Sequence, residues 1–384
     1  MDRCSRRFYF YSLLVILMLP FLFWVPGLPG VALADNPRPY VTSTSGCDCI
    51  SEQPVPISLG VSGGNITDET SQNCCTGTLG CLVQDGGGVQ YILSNNHVLA
   101  KTNKGSKGDP IIQPGLVDLE HPCNSVISAN YNDIANLSKF VTIKFNLKSV
   151  NYVDAAIAQV MGGMVRTDGA INCLGALDST PAPASIGLAV QKCGRTTGLT
   201  AGVIGAINVS LTVAYNTACG SGTQYAIFAK QLRIDSGGFS AGGDSGSLIV
   251  TKPTSGAPQP VGLLFAGSST QTFANPIQTV LSALGKVSVV GSASAASTTS
   301  AAAAASEEES PEVTHLKDVQ GRHEQNLMQL PGVVGMGIGR SKKDNTLRLE
   351  IYVKKLTPEL QSQLPESLNG APVRIVETGE VRAL

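Results

Sequence analysis

The chain has 384 residues, with 27 Lys and Arg against 28 Asp and Glu, and only 14% of its residues are charged. That length predicts two domains, and the balanced, sparse charge provides no basic face for nucleic acid, which is excluded as a partner. Abundant Gly (42 residues) and scarce aromatics (5%) favour a turn-rich β architecture over a helical bundle.

Arg3, Arg6 and Arg7 precede an apolar run from Phe8 to about Val25, and "VALAD" then offers the small residues Ala32 and Ala34 before Asp35. Residues 1–34 are therefore expected to form an export signal cleaved before Asp35, sending the protein to the exterior or the cell envelope or periplasm. If uncleaved, the same run would act as a membrane anchor. Residues 35–56 form a Cys-containing segment. Nine of the ten Cys follow the cleavage point, and Cys47, Cys49, Cys74, Cys75 and Cys81 crowd the mature N-terminus. In an exported chain such residues default to disulfides. The paired CxxC spacing of a zinc site is missing, so neither metal nor cofactor is expected. The odd number leaves at least one Cys free or paired outside the chain.

Over 57–286 the pattern is short apolar or alternating runs between Gly, Asn and Asp turns, such as "TLGCLV", "VQYILSNNHVL", "VDAAIAQV", "AGVIGAINVSLTVAY" and "PVGLLFAG". Many short strands of this kind predict a sandwich or barrel. "ANPIQTVLSALG" reads as a helix with Asn275 as N-cap, Pro276 at its first position and Gly285 past its end. Residues 287–310 are an Ala/Ser-rich linker. In 311–384, Ser310, Pro311 and Glu312 start a helix, and Leu316, Val319, Leu327 and Leu330 share one face. A hairpin turns around Asp344 and Asn345, Thr357 and Pro358 start a short helix, and "APVRIVE" is a last strand. This small α+β unit holds no catalytic constellation. It is either a folding or tethering unit or a regulator that docks its hairpin or tail in a cleft.

Three residues carry chemistry together. His97 in "YILSNNHVLA" sits just past a strand. Asp154 begins an otherwise apolar run, where a carboxylate is costly unless hydrogen-bonded. Ser245 lies in "GGDSGSLIV" between glycines and a strand. The order His97, Asp154, Ser245 is a known chain order of the Ser-His-Asp triad. A Ser hydroxyl needs a base to take its proton, His97 supplies one near neutral pH, and Asp154 would hold its tautomer. The N–H groups of Gly243 and Ser245 would form the oxyanion hole, with Gly243 free to turn its N–H inward.

On these residues the chain resembles chymotrypsin-like (trypsin-fold) serine proteases of bacterial type. "LSNNHVLA" is similar to the HtrA and glutamyl-endopeptidase form, and "GRTTGLTAGVI" to the opening of the second barrel half in α-lytic protease and the streptogrisins. "GDSGSL" matches the nucleophile loop and "VGLLFAG" the substrate-pairing strand. The resemblance, over roughly Ile57 to Leu284, implies an all-β double six-stranded barrel followed by the small α+β unit, with the site between the barrels. It implies a serine endopeptidase acting on protein or peptide substrates through an acyl-enzyme. An inactive peptide-binding module of the same fold is the alternative, and an esterase has no support.

The resemblance also implies finer roles. Phe239 would form the base of the primary pocket with Ser240 next to it, so no carboxylate selects Arg or Lys and small or apolar side chains are expected. The backbone of Phe265 and Gly267 would pair with an extended substrate. Phe265 replaces the Ser whose hydroxyl supports the catalytic Asp in most relatives, and Gln191 and Ala201 replace a disulfide pair. No Ile-Val-Gly-Gly start follows the predicted cleavage point, so Asp244 needs an internal cation. Lys192 matches the position of that cation, with Arg195 as the fallback; otherwise Lys192 is a solvated strand-end side chain.

Overall fold

The computed structural model describes residues 47–71, 73–235, 237–292, 310–341 and 343–384, which lie in one compact unit. The expected export signal and most of the expected linker lie outside the described residues. Among the described residues no helix is long and apolar enough to cross a membrane.

The first half holds β1 (Val61–Asn65), β2 (Gly77–Leu79), β3 (Cys81–Gln84), β4 (Gln90–Ser94), the one-turn helix α1 (Asn96–Leu99), β5 (Pro110–Gln113), β6 (Asn132–Phe140), β7 (Val150–Asn151) and β8 (Ala156–Val160). Only Gly80 separates β2 from β3, and β2 pairs with β1 while β3 pairs with β4. The remaining pairs, β4 with β8, β8 with β6, β6 with β5 and β5 with β1, close a ring of six strands when β2 and β3 count as one. The period-2 alternation of strands decides what fills it. Leu82 and Ile92 point into the barrel with Leu79, Val98 and Leu137, whereas Cys81, Val83 and Leu93 point outward to the seam between the halves.

The second half holds β9 (Ala189–Gly194), β10 (Gly198–Tyr215), β11 (Gln224–Asp235), β12 (Leu248–Thr251), β13 (Pro260–Gly267), β14 (Thr272–Pro276), α2 (Ile277–Ala283) and β15 (Ser288–Val289). The order β10-β9-β12-β13-β14-β11 is closed by pairing of β11 back onto β10, again six strands. Two six-stranded rings are the expected double-barrel, chymotrypsin-like architecture. Gln191 and Ala201 are register partners on β9 and β10, so plain ladder pairing stands where the relatives carry a disulfide.

Two expectations are corrected here. Asn275 does not cap α2: it lies within β14, its side chain is buried, and the cap position is Pro276 with no side-chain hydrogen bond. The linker does not begin at residue 287, because β15 pairs with β3 and Val287 and Val289 fill the seam between the barrels. Apolar side chains with a place to be buried override the Ala/Ser-rich composition that follows.

The C-terminal part contains α3 (Pro311–Leu327), β16 (Val333–Arg340), β17 (Leu347–Val353), α4 (Pro358–Gln363), β18 (Ser367–Leu368), β19 (Ala371–Glu377) and β20 (Arg382–Ala383). Ser310 Oγ accepts from Val313 N at 3.3 Å and Thr357 Oγ1 from Leu360 N at 3.2 Å, the caps that the sequence signals. Leu316, Val319 and Leu327 of α3 pack on Met336, Ile338, Leu349 and Ile351 of the sheet. This part does not stand apart from the barrel: β16 pairs with β10, so its sheet continues the second barrel's sheet.

Among the described residues three Cys pairs are present, Cys47 with Cys173, Cys74 with Cys123 and Cys75 with Cys219. Cys49, Cys81 and Cys193 are free and buried, with Cys49 Sγ 3.3 Å from Cys193 Sγ.

The junction with the C-terminal sheet is polar at its centre. Arg233 of β11 bonds Glu350 and Tyr352 of β17 (Nη1 to the Tyr352 hydroxyl, 3.1 Å), and Glu350 has no exposure. Glu350→Leu removes the buried partner and leaves Arg233 only the partly exposed Asp235 carboxylate (2.9 Å), so it is expected to cost about 3 kcal/mol. Urea denaturation of the full chain should show the lowered midpoint, and an unchanged midpoint would mean that this junction does not bear on stability.

Candidate active site

His97 is carried by α1, whose residues Val98 and Leu99 are anchored in the first barrel's core. Its Nδ1 lies 2.6 Å from Oδ2 of Asp154, and its N–H donates to Oδ1 at 3.3 Å. Asp154 is fully buried at the start of the run into β8. The Tyr215 hydroxyl, at the end of β10, also donates to Asp154 Oδ2, at 2.8 Å. The Asp154 backbone is fixed as well: its N–H donates to Asn275 Oδ1 at 3.0 Å, and its carbonyl accepts from Asn95 Nδ2 at 2.7 Å.

The sequence alone did not reveal Tyr215, Asn95 and Asn275 as supports. The signal for Tyr215 was partial. Val209, Leu211, Val213 and Tyr215 alternate along β10 onto one buried face, so burial was legible and the hydroxyl's partner was not. Tyr215 supplies the hydroxyl that Phe265 cannot.

Ser245 is buried, and its Oγ donates to the Phe265 carbonyl at 3.2 Å instead of to His97. His97 Nε2 instead lies 3.3 Å from the Leu384 carbonyl oxygen. The Asp–His half of the expected triad is thus assembled, while Ser245 and His97 each hold another partner. Gly243 has φ +94°, and a Cβ there would come within 2.6 Å of Arg195 Nη1 and Thr196 Oγ1. That left-handed turn and close approach call for Gly.

Lys192 and Asp244 meet, Nζ to Oδ1 at 3.5 Å, with neither side chain exposed. The ammonium also donates to Thr197 Oγ1 and to the Gly198 carbonyl, at 2.9 Å for the latter. Asp244 accepts from the N–H groups of Thr196 (2.9 Å) and Ala241 (2.9 Å) and from Thr197 Oγ1 (2.8 Å). Arg195, the fallback, serves elsewhere: it makes a forked pair with Asp118, Nε to Oδ2 at 2.5 Å and Nη2 to Oδ1 at 2.6 Å.

Phe239 is buried among Val190, Ile204, Leu264 and Ala274, with Lys192 Nζ 6.0 Å from its ring centre. Ser240 Oγ lies 2.6 Å from Thr272 Oγ1. The Phe265 carbonyl accepts from Leu384 N at 3.3 Å, and Gly267 pairs with Arg382.

A family model described as the Nal1 C-terminal domain matches residues 133–279. No curated protein matches the chain. Among solved structures, a glutamic-acid-specific serine protease that uses a histidine triad in substrate binding is 21% identical, covering 61% of this chain and 100% of its own, with a TM-score of 0.39. The Nocardiopsis protease is 18% identical (61% and 98% covered, TM-score 0.40). Thermobifida fusca protease A is 18% identical (62% and 99% covered, TM-score 0.39).

Burial disfavours the charged form of His97, but the adjacent Asp154 charge and hydrogen bond, with the Leu384 carbonyl and Asp68, outweigh it and raise its pKa above the ordinary 6.5. A group raised in the folded state contributes stability that is complete below its unfolded value and lost as pH rises through the folded one. In NMR titration of the full chain the His97 midpoint should therefore lie above 6.5, and Asp154→Asn should lower it. A midpoint that Asp154→Asn leaves in place would separate the two residues energetically. By its two barrels and these motifs, the chain is similar to the bacterial chymotrypsin-like serine proteases.

Proposed function

We propose that the protein is an exported serine endopeptidase that hydrolyses peptide bonds through Ser245, His97 and Asp154. The observation that carries this reading is the buried Asp154 carboxylate on Nδ1 of His97, which leaves Nε2 available to act as the base. A lone buried carboxylate would be costly, and this arrangement suits a base that must become an imidazolium during reaction.

In the reaction, His97 Nε2 takes the Ser245 proton while Oγ bonds to the substrate carbonyl carbon. The N–H groups of Gly243 and Ser245 face the developing oxyanion. The imidazolium then gives its proton to the leaving amine as the peptide C–N bond breaks. Water, deprotonated by His97, releases the acyl group from Ser245. The Lys192–Asp244 pair holds the oxyanion loop without a freed N-terminus, so enzyme lacking only its signal is expected to be active without a further N-terminal cut. Disulfides at Cys74–Cys123 and Cys75–Cys219 suit an oxidising compartment, which favours export.

One observation favours the second reading, a peptide-binding module that does not cut: the Ser245 hydroxyl engages Phe265 and not His97. A fluorophosphonate probe distinguishes the two. Covalent labelling at Ser245 that is lost in His97→Ala, and reduced by at least about a hundredfold in Asp154→Asn, is expected for the peptidase. Lys192→Met should cut labelling strongly with the circular dichroism spectrum preserved. Labelling that persists in His97→Ala would remove the base from the mechanism and leave the binding module.

A further inference from the structure

Residues 381–384 lie along the edge of β13 beside His97. Ala383 pairs antiparallel with Ala266 and Arg382 with Gly267 on β13, the strand expected to bind substrate. Leu384 N donates to the Phe265 carbonyl at 3.3 Å, and the Leu384 carbonyl oxygen lies 3.3 Å from His97 Nε2. The other edge of this tail is also held, since Ala214 N donates to the Val381 carbonyl at 2.9 Å. An extended segment inserted on a sheet edge, with its last carbonyl at the base, has the register of a substrate's acyl side.

Val381 and Ala383 share one face of this segment, against the cluster of Tyr215 and Phe265, and Arg382 and Leu384 lie on the other. Leu384 packs against the cluster containing Phe239 and Leu264, and a Cβ on Gly267 would meet its Cδ1 at 2.9 Å. Val381 is buried with Tyr215 and Phe265, Ala383 is half-buried, and Arg382 is exposed. The cleft therefore reads two apolar positions three residues apart and ignores the side chain beside the small one.

We infer that the site takes extended peptides with an aliphatic residue on the acyl side of the cleaved bond and a second apolar residue three positions before it. The chain's own Val381–Leu384 is its resident ligand, and it occupies the position that a substrate must enter. This rests on the peptidase reading for its chemistry but not for its binding. While the tail is seated, His97 Nε2 engages the Leu384 carbonyl, so the tail must leave before the base can act on Ser245.

The test uses the full chain, Leu384→Asp, and a chain lacking residues 381–384, the last leaving both apolar positions open to an added peptide. Fluorophosphonate labelling of Ser245 is expected to be about tenfold faster or more in both altered forms, because the apparent reactivity scales with the fraction of open sites. Binding of a fluorescein-labelled Thr-Gly-Glu-Val-Arg-Ala-Leu peptide, followed by anisotropy, should appear in the altered forms and be absent or at least about tenfold weaker in the full chain. The same peptide with Asp in place of either its Val or its Leu should lose that binding, and one with Gln in place of Arg should keep it. Equal labelling rates together with equal peptide binding in all three forms would overturn the inference. If no form is labelled yet the peptide binds only the altered ones, the peptidase reading falls and the resident-ligand inference stands.

Discussion

A fully buried carboxylate, Asp154, sets the terms for the whole site. Removing such a charge from water is tolerable only when its oxygens are hydrogen-bonded. Its partners come from both barrels. His97 of the first and Tyr215 of the second bond the carboxylate, while Asn95 and Asn275, one from each barrel, hold its backbone. Docking one barrel on the other and satisfying Asp154 are therefore a single event. The apolar seam made by Cys81, Val83, Leu93, Leu248, Val250 and Leu263 drives that docking, and the carboxylate fixes its register.

The replacement at Phe265 shows how the second barrel compensates. Phe265 cannot offer a hydroxyl, but its ring lies 4.9 Å from Phe228, which stacks on Tyr215 at 6.1 Å. The Tyr215 ring also meets His97 edge-on at 5.7 Å. An aromatic row thus spans the barrel from β13 to His97 and delivers one phenolic hydroxyl to Asp154. Within this row a Ser at position 265 would remove the tilted contact of Phe265 with Phe228, while the hydroxyl on Asp154 comes from Tyr215.

What was legible in the sequence follows the range of the forces involved. Period-2 alternation, helix caps at Ser310 and Thr357, and the turn at Asp344 and Asn345 are local, and each appears where the pattern places it. The Lys192–Asp244 contact was legible only through the resemblance, which places a cation at the position of Lys192 to meet a buried Asp. Asn275 was misread because Asn before Pro and an apolar run is also a cap signal, and nothing local tells a capping amide from one that bonds Asp154 across 121 residues. The strand at Ser288–Val289 was lost to the low-complexity composition that follows it. Tyr215 was visible as a buried residue, and its hydroxyl's partner was a matter of tertiary contact alone.

Strand β10 explains why the tail reaches the cleft at all. β16 pairs with it from Ala206 to Leu211, and the tail reaches it at Ala214, so the C-terminal sheet and the chain end share one 18-residue strand. Val381 then enters the same cluster as Tyr215 and Phe265, which anchors the segment one residue before β20 begins. A segment tethered this closely acts at an effective concentration on the order of millimolar, so even a weak peptide competitor is held in place when it is part of the chain. The pairing of the C-terminal sheet on β10 thus fixes where residues 381–384 can lie, and that place is the edge of β13 beside His97.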